Sequence, residues 1–209
     1  MALRTTVKVG DITNLSDARY CAGMGVDILG FCFESESEKY IDPTTFTALS
    51  EWLSGVKYTA EFPSYQPLGI KSTLGNYDSV QQIQVSAPYQ IDALKKLSLP
   101  IVIQIEAADF DSLGSVVDEM QLHRDDVEYY ILENKHETNQ LTLDDALRLA
   151  EQFPILLGFG ITPQNILPIV EKSAIQGISL KGSHEIKPGY KDFDALADIL
   201  EVLEVDEAY

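Results

Sequence analysis

Short apolar segments recur along the chain at intervals of roughly 20 to 30 residues, and they have the length and β-branched composition of strands. The segments between most of them carry apolar residues at the spacing of an amphipathic helix. This alternation predicts repeated βα units and a parallel sheet. The predicted strands are Thr5–Gly10, Asp27–Phe33, Val56–Phe62, Ser79–Ser86, Pro100–Glu106, Glu128–Glu133, Pro154–Gly158 and Ile175–Lys181.

Helical spacing predicts seven helices, and one crossover differs from the rest. The crossover 64–77 contains Pro67, Gly69 and Gly75, so we expect only a short or broken helix there. The predicted helices are Asn14–Met24, Pro43–Leu53, Ala87–Leu97, Asp109–Leu122, Leu143–Phe153, Pro163–Ser173 and Phe193–Leu203.

Eight strands with seven or eight helices in 209 residues predict a (β/α)8 TIM barrel. A doubly wound open sheet is the structural alternative. No linker or change of composition divides the chain, so residues 1–209 are predicted to form a single barrel domain.

The chain is strongly acidic, with a formal net charge of -18 at pH 7. Such a charge repels phosphate backbones, so we expect neither nucleic acid nor an anionic membrane as a partner. An anionic small molecule could bind only at a local group of backbone amides and a lysine or arginine. Any anion site must therefore be sought residue by residue.

No segment approaches the roughly 18 consecutive apolar residues of a membrane span, and the first residues lack an apolar targeting segment. We therefore expect a cytoplasmic protein, either a monomer or a homodimer. Cys21 and Cys32 are predicted to be buried free thiols, and His123, His136 and His184 are scattered. Because no metal-ligand spacing is present, we expect neither a metal nor a cofactor.

Barrel enzymes place their chemistry at the carboxyl-terminal ends of the strands. This rule selects a short set of candidate positions, most of them polar or glycine. They are Gly10, Asp11, Glu34, Glu61, Gln84, Glu106, Glu133, Gly160 and residues 181–183.

Two segments carry a family resemblance. The first strand reads KVGDIT from Lys8, and residues 158–166 read GFGITPQNI. Together they resemble the phosphoribosylanthranilate isomerase family, whose first strand reads roughly K-[IV]-C-G-[IL]-T. The resemblance implies a barrel of the ribulose-phosphate-binding type and a phosphorylated sugar as ligand. It also implies an Amadori rearrangement of an aminoaldose phosphate to an aminoketose in tryptophan biosynthesis.

That reaction needs a base to take the proton from sugar C2 and an acid to protonate the ring oxygen. The resemblance assigns these roles to a strand-1 cysteine and a strand-6 aspartate, and Gly10 and Glu133 stand at those positions. Glu133 is either the acid or an ordinary strand-end glutamate. Asp11 either replaces the base or is a loop carboxylate oriented toward the first helix.

The resemblance also implies binding residues. Lys39 stands where the family has an arginine expected to meet the anthranilate carboxylate. Gly160, Gly182 and Ser183 match phosphate-binding loops, and Lys181 could add a cation. The alternative is that the two glycines only supply tight turns. The glycine-rich loop that follows strand 6 in the family is replaced here by residues 135–140.

We therefore expect a homologue of these isomerases that is weak or inactive in their reaction. One alternative is a non-catalytic descendant, a pseudoenzyme that acts in binding or assembly. Another is a different phosphosugar isomerase that uses Asp11 and Glu133 as its acid and base.

Overall fold

The structure, a computed structural model, describes residues 2–64, 67–88, 91–138, 140–182, 185–187, 190–191 and 194–205. Eight parallel strands form a closed barrel in the order β1 to β8, and β1 pairs with β8 from Thr6–Gly177 to Gly10–Lys181. The closed barrel confirms the prediction and excludes the open sheet. The strands are β1 Thr6–Gly10, β2 Ile28–Cys32, β3 Lys57–Phe62, β4 Gln82–Ser86, β5 Ile101–Glu106, β6 Tyr129–Glu133, β7 Ile155–Leu157 and β8 Gly177–Lys181.

The helices begin at residues that suit a helix N-terminus. The side chains of Asn14 and Asp42 accept hydrogen bonds from amides of the first turn, as do those of Ser112 and Thr142. The helices are α1 Leu15–Gly23, α2 Pro43–Ser50, α3 Pro67–Leu74, α4 Leu113–Leu122, α5 Leu143–Leu149, α6 Ile166–Lys172 and α7 Asp194–Leu203. The third crossover contains α3, which has eight residues, as many as α2 and one more than α5 or α6, so the expected contrast with the other crossovers is not found.

One predicted helix is wrong. Residues 87–97 contain two 3₁₀ turns, Ile91–Ala93 and Lys95–Leu97, instead of an α-helix. Ile91 and Leu94 are buried, and their spacing of three residues matches the three residues per turn of a 3₁₀ helix. The structure also adds a small antiparallel pair, β9 Glu185–Lys187 and β10 Tyr190–Lys191, which was not predicted.

Side chains of the strands alternate between two environments. Val7 and Val9 belong to the large core between sheet and helices, together with Ala18 and Cys21 of α1. The intervening positions face the barrel interior, where a second apolar cluster lies near the amino-terminal ends of the strands. That cluster, called the lower layer below, consists of Ile28, Val102, Tyr129, Ile131 and Leu156.

Among the described residues, no helix combines the length and apolar composition that crossing a membrane requires. Within the same part of the chain, His, Cys, Asp and Glu form no group of three or more that could hold a metal ion.

Candidate functional site

A cavity of about 220 Å³ opens at the carboxyl-terminal ends of the barrel strands. Its lining, called the mouth below, includes four lysines and three carboxylates, which gives it a formal charge of +1 in a chain of charge -18. The mouth is therefore a local cationic site in an acidic protein. The lining residues are Lys8, Gly10, Asp11, Cys32, Ser37, Lys39, Glu61, Pro63, Gln84, Gln104, Glu133, Lys135, Ser179, Leu180 and Lys181.

The first ion pair of the mouth joins β1 to β3. Lys8 occupies an interior position of β1 and is 1% exposed, and its Nζ lies 2.5 Å from Oε1 of Glu61. The other oxygen of Glu61 accepts a hydrogen bond from the Asp11 amide at 3.2 Å. Both oxygens of this buried carboxylate therefore have a donor.

Two glycines make room for this ion pair. A Cβ atom on Gly10 would lie 2.7 Å from Oε1 of Glu61, and one on Gly30 would lie 2.0 Å from the same atom. Real Cβ atoms do not approach an oxygen so closely, because the van der Waals radii forbid it. The Glu61 carboxylate therefore lies where side chains at positions 10 and 30 would project.

The second charged group is centred on Glu133, at the end of β6. One of its oxygens, Oε2, accepts from Lys135 Nζ at 2.8 Å, from Lys181 Nζ at 2.9 Å and from Gln104 Nε2 at 3.1 Å. Glu133 is 3% exposed, whereas the two lysine side chains are a little under half exposed. Two ammonium groups thus surround one buried carboxylate and face the cavity.

Burial lowers the pKa of the Lys181 ammonium against the attraction of Glu133, and the nearby Lys135 adds to the lowering. Burial also acts to lower the pKa of Lys135. There, however, the hydrogen bond and charge of Glu133, with a contribution from Glu106, prevail and raise the pKa. Of the two lysines, Lys181 is thus the one that releases its proton more readily.

A chain of amides connects Glu133 to β4. Gln104 donates to Glu133 and accepts from Gln84 Nε2 at 2.7 Å. The Gln84 side chain is buried, and its Oε1 has no hydrogen-bond partner among the described residues. Because buried polar atoms are normally paired, this oxygen is a candidate acceptor for a ligand hydroxyl in the mouth.

Asp11 lies in the mouth and not at the helix. Its carboxylate is 2.5 Å from Lys39 Nζ, and its backbone has a φ of 59°. Of the two alternatives for Asp11, orientation toward α1 does not fit this pairing with Lys39, and Asn14 is the N-cap of α1, with a side chain that accepts from the Asp17 amide. Lys39 reaches the mouth, but there it pairs with Asp11.

The proposed phosphate residues do not all meet. Gly160 has a φ of 67° and lies outside the cavity lining, and the Gly182 amide donates to the Gly10 carbonyl at 2.8 Å. That amide therefore already has an acceptor. Lys181 pairs with Glu133, and Ser183 lies outside the described residues. Of the site residues proposed from the sequence, the structure brings together Asp11, Lys39, Glu133 and Lys181.

Several mouth residues were not singled out for a catalytic or binding role. Lys8, Gln104 and Lys135 belong to this group, and Glu61 and Gln84 were noted only as strand ends. The sequence feature that could have identified them is a polar residue at alternate positions of an otherwise apolar strand, since alternate residues of a strand share one face. Cys32, predicted as core, is buried but lines the cavity, and burial raises the pKa of its thiol.

No protein-family model matches the chain. The chain is 29% identical over 209 residues to the N-(5'-phosphoribosyl)anthranilate isomerase of Gloeothece citriformis, and the match covers 94% of this chain and 93% of that protein. The crystal structure of phosphoribosyl anthranilate isomerase from Thermotoga maritima matches with a TM-score of 0.75 at 20% identity, covering 95% of this chain and 98% of that one.

A phosphoribosyl anthranilate isomerase crystallised with reduced 1-(o-carboxyphenylamino)-1-deoxyribulose 5-phosphate matches with the same TM-score, identity and coverage. The fold and the mouth define a (β/α)8 barrel protein with a charged cavity at the strand ends. Its resemblance to the phosphoribosylanthranilate isomerases, inferred from the strand-1 and strand-7 motifs, is confirmed over nearly the whole chain.

Proposed function

We propose that the protein is an isomerase that converts a phosphorylated aminoaldose into an aminoketose, the reaction implied by its resemblance to the phosphoribosylanthranilate isomerases. The observation that carries the proposal is the mouth, where buried carboxylates and four lysines share one cavity. An anionic sugar requires local cations in so acidic a chain, and a proton-transfer reaction requires carboxylates within reach of the sugar.

Glu133 and Lys181 form the proton-donating unit in this proposal. As the bond between C1 and the ring oxygen breaks, its electron pair stays on the oxygen, which takes a proton from this unit. The lone pair of the amine nitrogen then completes a C1=N bond. The burial that lowers the pKa of Lys181 favours release of the proton. Gln84, with its unpaired oxygen, is placed to accept from a sugar hydroxyl.

The anion is held at the same end of the barrel. Lys181 and Lys135 both contact Glu133, and Lys135 also lies 3.7 Å from Glu106, so two ammonium groups that are nearly half exposed at the cavity are the candidate partners of a phosphate or carboxylate group. The loop after β7 contributes the amides of Gly160 and Ile161, which have no acceptor within the described part of the chain. Lys39 is the candidate cation for a substrate carboxylate, as the resemblance implies.

Turnover is expected to be slow. Position 10, where the resemblance implies a thiol base, has no side chain, so removal of the C2 proton must use another group in place of the family's thiol. The charged loop 135–140 replaces the family's glycine-rich loop and is expected to hold the phosphate less firmly.

The test measures binding and turnover separately. The reduced deoxyribulose phosphate named above is titrated into the wild type, and isomerase turnover is measured with phosphoribosylanthranilate and by growth of a tryptophan auxotroph that lacks its isomerase. We expect binding with slow turnover, and a loss of about 100-fold or more in kcat for Glu133→Gln. Glu34→Gln, a buried strand-end glutamate outside the mouth, is the matched control.

Binding without turnover would support the non-catalytic alternative instead. If the wild type neither binds the analogue nor turns the substrate over, the proposed function is wrong.

A further inference from the structure

The Glu61 carboxylate occupies a place that two neighbouring strands leave open. In β1 the interior position 10 is glycine, and in β2 the interior position 30 is glycine. A Cβ atom at either would come within 2.7 Å of the same carboxylate oxygen. The glycines on both strands therefore act together, and what they accommodate is one carboxylate at the edge of the cavity.

The Glu61 carboxylate is buried, and each of its two oxygens has a donor. It is 6% exposed, so isolated ionisation would be costly, but Lys8 lies 2.5 Å from one oxygen and the Asp11 amide donates to the other. A carboxylate acts as a base only when it is ionised, and burial strips away the water that would otherwise compete for its lone pairs.

We propose that Glu61 is the catalytic base of this site and that its carboxylate removes the proton from C2 of the sugar. The inference rests on the proposed function. After ring opening, Glu61 takes the C2 proton, the C–H electron pair forms the C1=C2 bond, and the electrons of the C1=N bond return to nitrogen. The resulting enolamine becomes the ketone as the O2 proton leaves and C1 is protonated, so no oxidant or further reactant is required.

Asp11 is the competing carboxylate, and its surroundings differ. Its side chain is 21% exposed and pairs with Lys39, which is itself 47% exposed. Glu61 is the more buried of the two and shares one cavity lining with Glu133, so in this proposal the mouth holds a base on β3 and an acid on β6. The Asp11 backbone amide donates to Glu61. A substitution of Asp11 therefore removes its carboxylate while this backbone hydrogen bond remains available.

The first test replaces Glu61 with glutamine, which has the same shape and can still accept hydrogen bonds. We expect kcat to fall on the order of 100- to 10,000-fold, with affinity for the reduced deoxyribulose phosphate unchanged. Glu34→Gln is the control, because Glu34 is equally buried at a strand end but binds the Ser64 amide outside the mouth. If Glu61→Gln does not fold, Lys8→Met/Glu61→Gln removes the unpaired ammonium and serves in its place.

The second test moves the base to another residue. Gly10→Cys/Glu61→Ala removes the carboxylate that would lie 2.7 Å from the new Cβ, and the remaining close neighbour, Lys8 Nζ at 3.2 Å, is the end of a flexible side chain that can move. We expect partial recovery of kcat relative to Glu61→Ala. The pH profile of kcat should change, because a thiol and a carboxylate ionise over different pH ranges. A purely structural role of Glu61 would not move this pH profile.

The outcomes separate the two proposals. Turnover that survives in Glu61→Gln overturns the base assignment alone, and loss in Asp11→Ala would then identify Asp11. Equal loss of turnover and analogue binding in a folded Glu61→Gln means that Glu61 is structural, which also overturns it. A wild type that binds the analogue without turnover refutes the base assignment, and one that does neither refutes the proposed function as well.

Discussion

The barrel interior has two layers that differ in how their polar groups are paired. Beside the lower layer, Gln82 Oε1 accepts hydrogen bonds from Thr59 and from Tyr129, each at 2.9 Å. Gln82 Nε2 donates to Glu128 at 2.9 Å. This network includes Tyr129 of the apolar cluster, and none of its residues lines the mouth. In the mouth, by contrast, the equivalent amide of β4, Gln84, keeps an oxygen without a partner among the described residues.

The same strands supply both layers, two residues apart. Thr59 and Gln82 lie below Glu61 and Gln84 on β3 and β4, and β3–β4 pairing places each pair side by side. Polar groups whose hydrogen bonds are satisfied by one another contribute to stability. Charged and unpaired groups around a cavity are, in contrast, available to a ligand. The comparison indicates that the same β3 and β4 strands carry a polar network whose hydrogen bonds are satisfied and, two residues further on, a polar cavity with an acceptor that the described residues leave unpaired.

The largest effect on stability is expected from removing Lys8, the buried lysine of the mouth. Lys8→Met leaves the Glu61 carboxylate buried with no lysine beside it, and breaking a buried pair in this way costs about 3 to 5 kcal/mol. Urea unfolding measures the loss. Lys8→Met/Glu61→Gln should recover much of it, because no unpaired charge then remains.

Lys39→Met is the matched control for Lys8→Met. It breaks the Asp11 pair, which is partly exposed, and such pairs contribute about 0 to 1 kcal/mol. If the two lysine variants unfold at the same urea concentration, the Lys8–Glu61 pair is not a buried ion pair in solution and the description of the mouth is wrong.

Most of the fold could be predicted because local patterns determine it. All eight predicted strands are present, and their order follows from repeated βα units. The helix predicted at residues 87–97 failed because periodic apolar residues over a short segment do not distinguish a 3₁₀ turn from an α-helix. Side-chain direction within each strand could also be anticipated from the alternation of apolar and polar positions.

The site could be predicted only to the level of strand ends. Glu34, Glu61, Glu106 and Glu133 look alike in sequence, yet only Glu61 and Glu133 line the mouth. Glu34 turns to the Ser64 amide, and Glu106 accepts from the Lys135 amide at 3.0 Å. These choices depend on register and on loops far along the chain, as does the pairing of Lys8 with a residue 53 positions away.

A smaller loss of stability is expected from filling the space that Gly10 and Gly30 leave for the Glu61 carboxylate. A methyl group at Gly30 would lie 2.0 Å from Glu61 Oε1 and 2.8 Å from Lys8 Nζ, so the ion pair must move. We expect Gly30→Ala to lower the free energy of unfolding by about 1 to 3 kcal/mol. Turnover should fall with it, because the carboxylate is displaced, and urea unfolding with kcat measurements tests both.

Gly114→Ala gives the opposite sign and serves as the control for Gly30→Ala. Gly114 is exposed in α4, its added methyl would meet only Ser112 Oγ at 3.6 Å, and alanine in a helix gains about 0.5 to 1 kcal/mol over glycine. If Gly30→Ala leaves the free energy of unfolding unchanged, the space beside Glu61 tolerates a methyl group, and the close packing described for the mouth is wrong.

A smaller loss than in Lys8→Met is expected beside the lower layer, and it tests whether the two layers are independent. Tyr129→Phe removes one hydroxyl, whose hydrogen bond to Gln82 is lost, but Gln82 Oε1 still accepts from Thr59. Burial raises the pKa of the Tyr129 hydroxyl, so the group lost is a neutral donor and no charge is left behind. We therefore expect a loss of about 1 kcal/mol in unfolding free energy and an unchanged kcat.

Urea unfolding and turnover are measured on the same preparation. A kcat that falls as far as it does in Glu61→Gln would mean that the lower network controls the mouth, and the division of the interior into a stabilising layer and a functional layer would fail.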